Sequence, residues 1–357
     1  MTGGYNGKNW INLSEVQING RQVGSEFPPY IIAEACINHG GDISVAKEMV
    51  YKARAAEVDA IKFQYHILDD EMLDAAPKSQ NFSKSLKETL EETNLSLDDH
   101  LELKGLCKTV GLEYLCTPFS FASADILDKE LAIPAFKVGS GECTNHALQR
   151  YIAKKNKPMI VSTGMTTLND IDNTVNVLNE CGADFSLTHC VSIYPCPYNR
   201  TNLGLIPVYI KRFGVPIGLS DHSKGIYTSL GAVALGASII EKHFTLDKTL
   251  EGPDHSCSLE PHELGQLVEG CKAVWLAGGD EKVFCVEEQE IAAWAHESVV
   301  TCANIEEDEI FSTSNLMIKR PAPPKGGIDA KDYDKVLGLR ASKVTKANQH
   351  LLWECVR

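Results

Sequence analysis

The 357-residue chain contains no CxxC pair and no basic stripe interleaved with aromatics. It also lacks any apolar run of roughly 18 residues, the length a membrane-crossing helix needs. Each absence removes a class of protein. Without CxxC, the twelve cysteines offer neither a zinc knuckle nor a dithiol redox motif, and the spacing of Cys190 and Cys196 suits neither chemistry. Most lie inside apolar runs (Cys36, Cys116, Cys190, Cys271, Cys302, Cys355) and read as small buried hydrophobes of a reducing compartment. The first ten residues lack the basic and apolar segments of a secretory leader, so the expectation is a cytoplasmic protein without a membrane span. A net charge of -14, with dispersed Lys and Arg, argues against nucleic acid and anionic membranes as partners. An anionic substrate would have to meet positive charge gathered locally, because the overall field repels it.

What is present is a regular alternation. Val16-Gln17-Ile18, Asn19-Gly20 and Arg21-Gln22-Val23 make a hairpin signal, expected to plug one mouth of the fold that follows. Eight apolar, strand-like runs then succeed one another: 30–36, 60–65, 112–119, 135–139, 158–163, 185–191, 215–219 and 238–244. Amphipathic stretches separate them, among them 44–56, 97–110, 121–129, 168–181, 227–235 and 262–276, with Ser44, Ser96 and Asn169 as candidate caps. Eight buried strands with crossovers predict a closed (β/α)8 barrel, an α/β fold of the TIM type; an open doubly wound sheet is the alternative, and the even tempo favours closure. One connection, between Tyr65 and Pro118, is about twice the usual length, and its polar portion 66–93 is a candidate lid. The expected organisation is an extension and hairpin over 1–28, a barrel over 29–278, a linker over 279–297 and a small domain over 298–357. That last segment has strand-like pieces at 298–302, 316–319, 343–344 and 351–356, and its roughly 60 residues are marginal for a free-standing core.

Polar residues collect where the strand-like runs end. Glu34, Lys62, Gln64, Thr117, Lys137, Ser140, Glu142, Ser162, Ser192, Tyr194, Ser220, His222 and His243 all fall there, and a barrel builds its active site from those ends. Lys62 and Lys137 with Thr117, Ser140, Ser162 and Ser220 suit a small anion bearing phosphate and carboxylate. Glu34 and Glu142 offer acid-base chemistry, while His222 and His243, on neighbouring strand ends, could hold one divalent cation that polarises a carbonyl. The combination points to carbon-carbon bond formation between a phosphorylated enol and a metal-bound aldehyde. Two other readings stay open: a Schiff-base aldolase using one of the lysines, and a sugar-binding protein with an inactive barrel.

These motifs, in order, resemble one family. Ile31-Ile32-Ala33-Glu34, Asn38-His39-Gly40-Gly41-Asp42, Lys62-Phe63-Gln64, Thr117-Pro118-Phe119, Lys137 through Glu142, Ser162-Thr163-Gly164-Met165, His189-Cys190, Tyr194-Pro195, Gly218 through His222 and Lys242-His243-Phe244 are similar to the sialic acid (N-acetylneuraminate) synthases. Lys319-Arg320-Pro321 is similar to the hallmark of the antifreeze-like (SAF) domain which that family carries. The resemblance implies condensation of phosphoenolpyruvate with N-acetylmannosamine, with phosphate leaving by carbon-oxygen cleavage. It implies that Lys62, Thr117, Lys137, Ser140, Ser162, Ser192 and Ser220 hold phosphoenolpyruvate, and that His222 and His243 hold Mn2+ or Mg2+. Gln64, Asn81, Glu142, Tyr194 and Asp254 would contact the sugar, Glu34 and Glu142 would be catalytic, and Arg320 would reach the acetamido group from the partner in a domain-swapped homodimer. Ser192 stands where the family often has Asn, and a hydroxyl can replace part of an amide's hydrogen bonding. Related synthases acting on 2,4-diacetamido hexoses share the barrel motifs, so the acceptor sugar stays open.

Overall fold

The computed structural model describes residues 15–73, 84–279 and 281–357, and the chain divides between residues 280 and 281 into two compact units. In the first, β1 (Val16–Ile18) and β2 (Arg21–Val23) form the expected hairpin, with Asn19 and Gly20 both at positive φ in its turn. Eight parallel strands follow: β3 (Tyr30–Glu34), β4 (Ala60–Tyr65), β5 (Glu113–Pro118), β6 (Phe136–Val138), β7 (Met159–Ser162), β8 (Phe185–Cys190), β9 (Ile217–Asp221) and β10 (Ile239–His243). Each pairs with its successor and β10 closes on β3, so the barrel is complete and the open sheet is excluded.

Strand alternation sorts the barrel into layers. Ile31, Ala33, Ile61, Phe63, Tyr114, Cys116, Phe136, Val161, Leu187, Leu219 and Ile240 face outward and pack with the surrounding helices. The intervening positions face inward. Near the strand starts they are apolar: Tyr30, Ile32, Ala60, Leu115, Ala135, Ile160 and Ile239 form one buried cluster with Val16, Ile18 and Val23 of the hairpin. The hairpin therefore plugs the N-terminal mouth, each buried aliphatic side chain contributing roughly 1.5–3 kcal/mol. Two residues further along each strand, the inward positions become Glu34, Lys62, Thr117, Lys137, Ser162, Thr188, Ser220 and Glu241, all buried. Apolar support thus lies beneath a polar floor.

The helices expected at 44–56, 97–110, 121–129, 168–181, 227–235 and 262–276 appear within two residues of those ranges, as at Leu97–Val110 and Phe121–Lys129, while His146–Ala153 and Leu205–Phe213 had not been singled out. Two candidate caps are displaced: Asp42 caps the helix Ile43–Ala55 and Thr167 caps Leu168–Glu180, because the oxygen that accepts the early backbone N–H belongs to the residue outside the helix. Ser96 is the cap of its helix. The polar insertion is more structured than a loop, with short helices at Leu68–Glu71 and Leu86–Thr93, the latter closed by a Ser85/Glu88 capping box. Asn81 lies outside the described residues.

The second unit contains one antiparallel pair, β11 (Ser298–Thr301) with β12 (Leu316–Lys319), over a core of Val299, Ile305, Phe311, Leu316, Ile328, Val336, Ala341, Leu351 and Cys355. The segments at 343–344 and 351–356 are not strands. Isolated bridges from Thr345, Leu352 and Val356 replace them, and a single helical turn occupies Trp353–Cys355. The segment 279–297 also departs from a bare linker, since Glu288–Ala295 is helical. Cys302 is exposed, contrary to its apolar setting in sequence; Cys36, Cys116, Cys190, Cys271 and Cys355 are buried, and all twelve cysteines are free. Among the described residues no helix is long and apolar enough to cross a membrane.

Candidate active site

The C-terminal mouth of the barrel encloses a cavity of about 500 Å³. Its lining brings together Glu34, Lys62, Gln64, Thr117, Lys137, Ser140, Glu142, Ser162, Ser192, Tyr194, Ser220, His222, His243 and Asp254, the barrel residues singled out from the sequence that lie among the described residues. Arg320 belongs to the second unit. A larger concavity, about 780 Å³, borders the hairpin instead. Of its lining charges, Arg21 pairs with Asp59 and Lys157 pairs with Asp128.

Two buried lysines anchor the floor. Lys62 Nζ lies 2.5 Å from Glu34 Oε2 and donates to Thr117 Oγ1 at 3.0 Å. Lys137 Nζ donates to Ser162 Oγ at 2.7 Å and lies 3.3 Å from Glu241 Oε1, which also accepts from Ser220 Oγ at 3.0 Å. Burial opposes the charge on Lys62, but Glu241 and Glu34 outweigh it and hold the ammonium above its usual range. Burial likewise works against Glu241, yet Lys137, Lys62 and the Ser220 hydroxyl bring its carboxyl down to about 2. Glu34 behaves differently: desolvation, aided by the charge of Glu241, lifts it to about 7 despite Lys62. Glu142, on the single turn Ser140–Glu142 after β6, is lifted to about 7 by burial. Two carboxyls therefore titrate near neutrality beside two fixed cations, a pattern typical of acid-base sites.

Hydroxyls converge on one wall. Ser140 Oγ accepts from the Gly164 backbone N–H at 3.1 Å and lies 3.3 Å from Cys190 Sγ. A β-carbon on Gly164 would stand 2.3 Å from Ser192 Oγ and 2.6 Å from Ser140 Oγ, so only glycine lets these groups approach. Gln64 donates to Glu34 at 3.4 Å, and its carbonyl is met at 3.1 Å by His66, whose ring stacks on Phe119 with centroids 4.3 Å apart.

The imidazoles of His222 and His243 adjoin each other with centroids 5.2 Å apart, and Tyr194 packs against both. His222 Nδ1 sits 3.0 Å from the Val191 carbonyl, which leaves Nε2 as the ring nitrogen that could ligate a metal. Burial lowers His243 to about 4, leaving it neutral and able to ligate. Its Nδ1 is buried without a hydrogen-bond partner among the described residues. The donor set therefore fits a divalent cation.

Two features went unassigned in the sequence. Glu241 was visible in Glu241-Lys242-His243, and strand alternation alone would have turned it inward with His243. The same alternation sends Asp221 and Lys242 outward, where they form a fully buried ion pair at 3.0 Å that Thr228 and Ser229 also support. That pair holds the last two strands and their helix together rather than contacting a ligand.

A closed parallel barrel whose mouth gathers two buried lysines, a wall of hydroxyls and two carboxyls near pH 7 has the build of an enzyme active site. The chain belongs to the NeuB family, whose model matches residues 49–283. It is 40% identical over 329 residues to the N,N'-diacetyllegionaminic acid synthase of Campylobacter jejuni, covering 89% of this chain and 97% of that one. It is 33% identical over 344 residues to the human N-acetylneuraminate-9-phosphate synthase, covering 94% and 95%. Among solved structures, the N-acetylneuraminic acid synthetase of Leptospira borgpetersenii, in complex with citrate, superposes with a TM-score of 0.70 at 33% identity, covering 78% of this chain and 95% of that one. The family of relatives is that of sugar-acid synthases.

Proposed function

We propose that the chain condenses phosphoenolpyruvate with an acylamino hexose, N-acetylmannosamine, to give N-acetylneuraminate and phosphate. The observation that carries this reading is the pairing of Lys62 and Lys137, with their hydroxyl partners, beside Glu34 and Glu142 in one cavity. The lysines, Thr117, Ser140, Ser162, Ser192 and Ser220 would bind the phosphate and carboxylate of the donor, each charge-assisted hydrogen bond being stronger than a neutral one. Gln64, Tyr194 and Asp254 would orient the sugar, together with Asn81. As the enol carbon bonds to the aldehyde carbon, one glutamic acid gives its proton to the aldehyde oxygen. The other carboxylate takes a proton from the water that attacks C2 of the donor, and phosphate then leaves with the bridging oxygen. His222 and His243 would hold Mn2+ or Mg2+, which supplies Lewis-acid polarisation of an aldehyde.

A second acceptor, a 2,4-diacetamido hexose, is favoured by the 40% identity to the legionaminic acid synthase. Arg320 and the final, SAF-like segment are proposed to serve the site of a partner subunit in a domain-swapped homodimer. The test is phosphate release from phosphoenolpyruvate with each acceptor in turn. Turnover is expected with one of them and none with donor alone; no acceptor-dependent phosphate from either would overturn the reading.

A further inference from the structure

Beside the histidines lies a third kind of donor that the reaction does not use. Cys36 is two residues beyond Glu34 and follows it into the same face of the barrel, lining the cavity. Its Sγ, a ring nitrogen of His243 and a carboxylate oxygen of Asp254 lie within 4.8 Å of one another. The orphaned Nδ1 of buried His243 faces Asp254 Oδ2 at 3.8 Å, too far for a hydrogen bond. Donors that share one ion at bonds of about 2.0–2.3 Å stand roughly 3 to 4 Å apart. The gap therefore suits an ion between the groups better than direct contact. Cys36 is also held with φ +46°, in the left-handed region that side chains other than glycine seldom adopt. Within the turn from Ala35 to Asn38 this conformation is closed by the Asn38 N–H to Ala35 carbonyl bond, and strain of this kind collects where function demands a particular aim.

We propose that Cys36, as a thiolate, is a ligand of the divalent cation together with His243 and Asp254, and that it biases this chain toward thiophilic ions over Mg2+. The proposal deepens the metal reading given above and rests on it for the location of the site. On binding, the sulfur-metal bond forms as the thiol proton leaves to solvent; no electron is transferred. Sulfur donors favour Zn2+, Co2+ and Cd2+, whereas carboxylate and water suit Mg2+ and Mn2+. The sulfur donor sets this preference independently of which sugar is condensed.

The test uses the full chain, stripped with chelator and titrated with Co2+ in the absence of substrate. The wild type is expected to develop a near-ultraviolet thiolate-to-cobalt charge-transfer band that saturates at one ion per chain. C36S and C36G should lose that band while keeping the weaker visible cobalt bands of nitrogen and oxygen ligands. Glycine relieves the left-handed backbone, so it guards against a folding artefact, checked by circular dichroism. In competition, C36S should lower Cd2+ affinity at least about tenfold and leave Mg2+ affinity within about threefold. A band that persists in both variants assigns the sulfur to another cysteine and overturns the proposal. Cobalt bound stoichiometrically to the wild type without a charge-transfer band overturns it too, while leaving the metal reading in place. No cobalt binding at all overturns both.

Discussion

Glu34 and Glu142 are both lifted to about 7, chiefly by burial. One must be protonated to act as acid and the other ionised to act as base. Activity should therefore fall as pH rises through about 7, where the acid is lost, and fall again below it, where the base is neutralised. The expected kcat/KM profile is a bell centred near neutrality. Glu142→Gln should remove one limb and lower the rate by about 10²–10⁴; a profile that keeps both limbs would exclude Glu142 from proton transfer. At this scale the sequence told which residue types gather at the mouth, but not what state each adopts. Glu241 and Glu34 are the same side chain on adjacent strands, yet Lys137, Lys62 and the Ser220 hydroxyl draw Glu241 down against its burial, while burial and the charge of Glu241 lift Glu34. The contact that joins Lys137 to Glu241 spans a stretch of chain that no local pattern relates.

At the scale of elements, the strands were legible because each is a short buried run that ends in polar residues. The inward pattern of one apolar residue and then one polar residue recurs around the barrel, from Ile32 and Glu34 to Ile239 and Glu241. The helices Leu86–Thr93 and Glu288–Ala295 were not legible: one buries only Leu90 and the other buries nothing, so neither shows a clear apolar stripe. The hairpin offers the clearest test of how the elements cooperate. Ile18 is 1% exposed and packs among the lowest inward residues of the barrel, far in sequence from the mouth. Ile18→Ala should destabilise by about 2–5 kcal/mol, read from denaturant unfolding, with KM for phosphoenolpyruvate unchanged. Unchanged stability would show that the plug is dispensable.

For the whole molecule, a net charge of -14 coexists with a mouth built around two buried lysines. Local placement rather than overall field decides what binds there. The proposed sharing of sites between subunits can be tested by complementation. Arg320→Ala and His222→Ala are each expected to be nearly inactive, and refolding them together should recover about a quarter of wild-type activity if each tail serves its partner's barrel. A mixture that forms heterodimers yet stays inactive would exclude the swap.

The central claim is the chemistry of the mouth, and its most direct test follows the bridging oxygen of phosphoenolpyruvate. With that oxygen isotopically labelled and the productive acylamino hexose supplied, mass spectrometry of both products reports which bond breaks. Carbon-oxygen cleavage, as proposed for this site, places the label in phosphate. Label retained in the sugar acid, or an imine on Lys62 or Lys137 trapped by borohydride, would contradict it.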